Sequence, residues 1–220
     1  MLVQPIGLGA FGFDTFEPMT AKSLDAILAA GWEVAAPDGT KTRVPFEFVG
    51  RYVENLTTAE IELYGERKVG LFTIGEAPND SMACPSGALG SRDGLRAVTL
   101  LRRLGISAGP THALDVEGCA RASGPQVIDY VDSAWDVVHL QTEMALYRGW
   151  GINLDADELY HSLSVSLYYA SSPQSVPPSV RGYAMVQVVE NVKVAGYAID
   201  VDRHDGDRLG GTFHVLSAAP

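Results

Sequence analysis

Two acids stand two positions apart in "HALDVEGC" (112–119): Asp115 and Glu117, at the end of an apolar run. In an extended chain residues i and i+2 point the same way, so the pair shares one wall while Val116 is turned from it. Acids in that position are ion-paired, solvated at a strand end, or used. Other acids close similar apolar runs: Asp14 in "AFGFD" (10–14), Glu76 in "VGLFTIGEA" (69–77), and Asp200 and Asp202 in "VAGYAIDVD" (194–202). If these runs are strands of one closed sheet, the carboxyls converge on a single mouth. Like charge and partial desolvation then raise at least one pKa, which leaves a proton donor beside acids that stay charged. Glycosidic bond hydrolysis needs that division: one acid protonates the leaving oxygen while others stabilise an oxocarbenium-like centre or position a nucleophile. Glu117 is the candidate acid, because its extra methylene reaches further into the mouth. Asp115 would tune and orient it, and Asp14 and Asp200 complete the catalytic set. An isolated Asp-x-Glu also arises by chance, and strand-end acids cap helices or bind loop amides. The coincidence of the acids at several strand ends carries the argument.

A metal is the competing use of such a cluster, since hard cations take oxygen ligands. "DVDRHDGD" (200–207) departs from the calcium-loop pattern, with His204 at its fifth position and Gly211 at the twelfth. Neither a metal nor another cofactor is expected. No Ser sits in a G-x-S-x-G elbow, and Cys119 has no recognisable catalytic context, which disfavours Ser or Cys nucleophiles. Cys84 and Cys119 are too few for a disulfide framework or a complete zinc site and read as ordinary thiols, a single bridge being the minority alternative.

The elements that must position these residues alternate along the chain. Strand-like runs cover 10–14, 46–53, 69–77, 111–118, 142–151, 165–172, 182–189 and 194–202. Helical patterns cover 19–31, with Thr20 as N-cap and Gly31 as stop, and 55–68, with Thr57 and Glu60 at capping-box spacing. Further helices are expected over 91–105, 125–138 and 153–163. Near-continuous apolar strands alternating with amphipathic helices signal a parallel sheet covered on its outside. Eight strand candidates fit an α/β fold of one closed (β/α)8 TIM-like barrel over 1–220, with the final units abbreviated. The rival is a doubly wound open sheet, but no G-x-G-x-x-G opens a helix after the first strand.

Sixteen Lys and Arg against 27 Asp and Glu give a formal charge of −11, which disfavours nucleic acid and other polyanions as non-specific partners. The N-terminal "MLVQPIGLGAFGFD" lacks the basic region and small-residue cleavage site of a secretory signal. No window approaches the roughly 18 consecutive apolar residues of a membrane span, so no membrane insertion is expected.

The chain resembles the glycoside-hydrolase-like TIM barrels of actinobacteria and their phages, a group similar to the family 25 lysozymes. The resemblance spans most of the chain. It rests on "GFD" (12–14), "GRYV" (50–53) followed by "LT" and a helix, "GLRAVTLLRRLG" (94–105), "LDVEG" (114–118) and "AIDVDRHDG" (198–206). It implies a muramidase-like hydrolase of peptidoglycan glycan, with Asp14, Asp115, Glu117 and Asp200 matching the family's acids and the sugar's own acetamido group available as nucleophile. The family's Trp-Gln-Tyr on the seventh strand stands here as Val186-Gln187-Val188, which removes aromatic surface, and the aromatic before the Asp-x-Glu pair is replaced by Ala113-Leu114. Tyr52, Tyr147 and Trp150 are candidate stacking platforms, although aromatics on barrel strands more often belong to the core. Gln187 and Glu76 are candidate hydrogen-bond partners for a sugar, and His112, at the far end of its strand, reads as structural. The expected partner is peptidoglycan or a related polysaccharide, joined by other virion proteins if the chain travels in a phage particle or lysis system. The alternative is a catalytically inactive glycan-binding or structural barrel of such a particle.

Overall fold

Helix starts are written into the local sequence. The hydroxyl of Thr20 accepts from Ser23 N–H, and Thr57 and Glu60 satisfy each other's backbone donors in a capping box. Ser123 with Gln126 and Asp155 with Glu158 repeat the device. Gly31, at φ 58°, ends the first helix in a conformation that a side chain would strain.

The computed structural model describes residues 1–106 and 109–218. Its elements are β1 (Leu2–Pro5), β2 (Phe11–Thr15), α1 (Ala21–Ala30), β3 (Trp32–Ala35), β4 (Lys41–Val44), β5 (Phe46–Tyr52), α2 (Thr58–Glu66), β6 (Gly70–Glu76), α3 (Asn79–Ala83), α4 (Gly87–Arg103), β7 (His112–Asp115), α5 (Gly124–Val138), β8 (Met144–Arg148), α6 (Ala156–His161), β9 (Leu167–Ala170), β10 (Met185–Val194), β11 (Tyr197–His204) and β12 (His214–Ser217).

Eight of these strands close a barrel in the order β2-β5-β6-β7-β8-β9-β10-β11 and back to β2. Neighbours from β2 round to β10 run parallel, while β11 is antiparallel to both β10 and β2. The expected eighth β/α unit is therefore replaced by a hairpin. The physical reason is the connection: Ala195 and Gly196 alone join β10 to β11, both at positive φ (50° and 89°), whereas a parallel neighbour needs a crossover of a dozen or more residues. Reversal also changes where the last acids lie. Asp200 sits in the first half of β11, and it reaches the rim because its register partner is Asp14 near the end of β2.

Other features differ from the expected layout. β1 pairs with β12, which attaches to β6 outside the ring, and β3 with β4 forms a separate hairpin between α1 and β5. The strand expected over 111–118 ends at Asp115, and the fifth narrows to Met144–Arg148. Among the described residues no helix is long and apolar enough to cross a membrane. Cys84 is exposed, Cys119 buried, and both are free thiols.

Inside the ring the lower space is packed solid by Phe48, Phe72, Leu167, Tyr169, Met185 and Phe213. Phe72 and Phe213 meet edge to face at 5.4 Å. Glycines make room for these rings: a Cβ on Gly12 would lie 2.2 Å from the Phe48 ring, and one on Gly50 would lie 2.6 Å from Phe72. Two apolar layers cover the outside, one beneath α4, α5 and α6 and the other beneath α1 and α2. With the lower end filled, open space remains at the rim that carries the acids.

Candidate active site

The rim is built in two levels. The lower one centres on Tyr169, fully buried on β9, whose hydroxyl lies 2.6 Å from Asp14 Oδ2 and 2.5 Å from Asp202 Oδ1. A phenol has one proton to give, so two ionised carboxylates cannot both be satisfied at these distances; one acid must hold a proton. Burial, then the charge of Asp200, pushes Asp14 up to about 7, against the opposing pull of Tyr169, Asp202 and Arg51. Burial and the neighbouring Asp14 hold Asp202 well above the usual 3.8. The second oxygen of Asp202 has no hydrogen-bond partner.

The upper level holds Asp115, Glu117, Glu76 and Asp200. Asp115 closes β7 and is 5% exposed; it accepts from Tyr52 Oη at 3.1 Å, and its other oxygen is unpartnered. Its pKa is driven well above 3.8 by burial and then by Glu117. Although β7 has ended, extended alternation continues for two more residues: Val116 packs into the outer core, and Glu117 turns back to the mouth beside Asp115. Glu117 is half-buried, and its Oε1 accepts from Trp150 N–H at 3.3 Å. Desolvation raises its pKa above the ordinary 4.5, with Glu190, Glu76 and Asp200 adding repulsion and the Trp150 amide opposing. Asp200 is raised chiefly by burial and accepts from Asn191 N–H.

Glu117 faces two connected spaces. One, of about 140 Å³, is bounded by Glu76, Asn79, Asp115 and Trp150. The other, of about 340 Å³, is bounded by Tyr52, Tyr147, Gln187, Glu190, Asn191 and Asp200. The structure thus brings Glu117, Asp115, Asp200, Tyr52, Glu76, Tyr147 and Gln187 to one cleft. Asp14 lies apart from its main space, lining a shallow depression with Phe16, Glu17 and Asp200. Tyr147 and Gln187 hydrogen-bond each other at 2.7 Å in the cleft floor. Gln187 faces inward, while Val188 on the opposite face packs into the outer core, so the two valines leave the cleft wall intact. Aromatic surface comes instead from Trp150, 67% exposed, and from Phe16, which meets Tyr52 edge to face at 5.3 Å.

Two residues of consequence escape a reading by strand ends. Tyr169 forms the lower level with Asp14 and with Asp202, a strand-end acid outside the expected catalytic set. Gly149 is the second: a Cβ there would fall 2.0 Å from Glu117 Oε1, so only glycine lets the acid lie where it does. His112 is fully buried, with its Nδ1 beside the Thr73 hydroxyl, and burial lowers its pKa to about 4. Among the described residues no three His, Cys, Asp or Glu side chains are disposed to share a metal ion.

No protein-family model and no curated protein matches the sequence. Solved structures do share its architecture. A Tat-secreted protein of Mycobacterium tuberculosis, solved in complex with L-tartrate, superposes with a TM-score of 0.65 at 16% identity over 94% of this chain and 99% of that one. The modular autolysin LytC from Streptococcus pneumoniae, solved in complex with a synthetic peptidoglycan ligand, gives 0.58 at 11% identity over 90% of this chain and 47% of its own. The catalytic domain of endolysin ply40 from bacteriophage P40 of Listeria monocytogenes gives 0.56 at 12% identity, covering 90% and 93%. At these identities the likeness establishes a shared barrel fold.

Proposed function

We propose that this chain is a lysozyme-like glycoside hydrolase acting on the glycan of bacterial peptidoglycan, with Glu117 as general acid. The observation that carries the reading is the placement of Glu117. It is the one carboxyl that faces both spaces of the cleft while half-buried among other acids, which keeps its proton at a pH where exposed carboxylates have lost theirs. Asp115 lies too deep to lead, and its own proton is held by burial and by the charge of Glu117. Asp200 stands across the cleft, where its charge would stabilise a developing oxocarbenium ion. Asp14, held by Tyr169, would act through Asp200. The fold shared with an autolysin and an endolysin catalytic domain supports the substrate class. The family 25 likeness and a phage context belong to the same proposal. A charge of −11 slows free approach to an anionic wall, which suits a component carried in a particle.

The rival reading, a non-catalytic glycan-binding or structural barrel, draws on the sealed state of Asp14, which is 3% exposed and engaged by Tyr169. Release of new reducing ends from purified actinobacterial walls separates the two. The hydrolase reading expects release by the native protein and loss of at least about a hundredfold in Glu117→Gln with unchanged circular dichroism. Binding to walls with no reducing ends released would establish the rival.

A further inference from the structure

Trp150 stands where three spaces meet. Beyond the two acidic ones lies a third, of about 440 Å³, bounded by Met82, Ala83, Ala120, Arg121 and Trp150. Its character differs: its lining holds no acid and mixes apolar with polar surface, and Arg121 is the one cation among the described residues lining any of the three. Arg121 forms no ion pair among the described residues, whereas Arg51, Arg92 and Arg96 are each paired with a carboxylate. The platform between the two zones is fixed in place. Trp150 N–H donates to Glu117, Trp150 C=O accepts from Gly118 N–H at 3.1 Å, and Cys119 Sγ donates to the Gly151 carbonyl at 3.4 Å. The cleft is therefore polarised along its length, acids on one side of an exposed indole and an unpaired guanidinium on the other.

We propose that Arg121 is a specificity-determining residue that receives a carboxylate carried by the glycan and so sets the register in which the glycan crosses the catalytic acids. This role rests on the hydrolase reading of the same cleft and on charge. A ligand carboxylate beside Glu76, Asp115, Glu117 or Asp200 is repelled, and across Trp150 it meets a matched, planar cation. Where its peptides are absent, peptidoglycan glycan alternates a neutral and a carboxylate-bearing sugar. Anchoring one carboxylate at Arg121 fixes which of the two alternating linkages lies at Glu117. Met82 and Ala83 supply apolar surface for the appendage that bears the charge.

Calorimetric binding in a Glu117→Gln background tests this with two probes of equal length: a peptide-free wall tetrasaccharide, which carries carboxylates, and chitotetraose, which carries none. The expected result is about fivefold tighter binding of the wall tetrasaccharide, a preference abolished by Arg121→Gln and partly restored by Arg121→Lys. Trp150→Ala should weaken both probes alike. Arg121 is exposed, so its replacement leaves the core untouched. Equal binding of both probes, or an equal loss on both in Arg121→Gln, overturns the register proposal while leaving the hydrolase reading in place. Failure to bind either probe overturns both. On peptide-stripped wall glycan, Arg121→Gln should convert a single kind of new reducing-end sugar into a mixture; one unchanged kind would contradict the proposal.

Discussion

Strands β2 and β5 carry buried charge on both faces of the barrel, and the two faces treat it in opposite ways. On the outer side Arg51 is fully buried against Glu60, with Nη2 to Oε1 at 3.1 Å and Nε to Oε1 at 3.3 Å. Glu60 also accepts from Met19 N–H and the Tyr64 hydroxyl, its other oxygen caps α2 through Thr57, and Arg51 Nη1 donates to the Thr15 carbonyl. Every charge there is answered. On the inner side, one residue away at Gly50, Asp14 and Asp202 share Tyr169 with no cation of their own and an oxygen left bare. Buried ions that are fully paired hold neighbouring elements together, whereas an under-satisfied acid cluster is retained at a cost to stability. The contrast separates a structural use of charge from a functional one on the same strands.

That contrast can be broken from either side. The largest effect should come from Glu60→Ala, which strands Arg51 in the core and uncaps α2; we expect a loss of about 3–5 kcal/mol in urea unfolding. Next, Asp202→Asn replaces one acid of a pair that must hold a proton between them and supplies an amide donor to Asp14. It should stabilise the fold at pH 8 by on the order of 1–3 kcal/mol while lowering activity. A destabilised Asp202→Asn would show that the inner cluster is structural like the outer pair.

The same difference should appear in pH dependence. The folded state holds the Asp14 proton to about 7, while the unfolded chain releases it near 3.8. The stability that this group contributes is full below 3.8 and is lost as pH rises to about 7. His112 works against it: with a folded pKa of about 4 against 6.5 unfolded, its contribution is lost as pH falls through that interval. Subtracting the stability profile of Asp14→Asn from that of the native protein removes the histidine and leaves a difference that declines between pH 4 and 7. The smallest effect on stability, with a clear effect on rate, belongs to Gly149→Ala. Its φ lies outside the left-handed region, so alanine is conformationally allowed, and the group in its way is the movable carboxyl of Glu117. Unfolding should shift by about 1 kcal/mol or less, while hydrolysis falls about tenfold or more.

Much of this arrangement was legible in the residues. Thr20, Thr57 with Glu60, and Gly31 mark helix ends through local hydrogen bonds, and strand alternation alone predicts that Asp115 and Glu117 share a face. The reversed β11 was not read from its own pattern, because a buried strand looks alike in either direction. Its signal lay in the two-residue link at Ala195 and Gly196, too short for a crossover. β1 with β12, at opposite ends of the chain, and Tyr169 with Asp14, 155 residues apart, depend on closure of the ring, which no local window records. Arg51 stood in view within "GRYV", yet its pairing with Glu60 follows only once β5 and α2 are packed.

The direct test of the account is the pH profile of kcat/KM on purified wall glycan. If Glu117 delivers the proton, the rate falls on the alkaline side through an apparent pKa above the ordinary glutamate value of 4.5, and Glu117→Gln removes both the limb and the rate. An undiminished rate in Glu117→Gln, with the same alkaline limb, would contradict it.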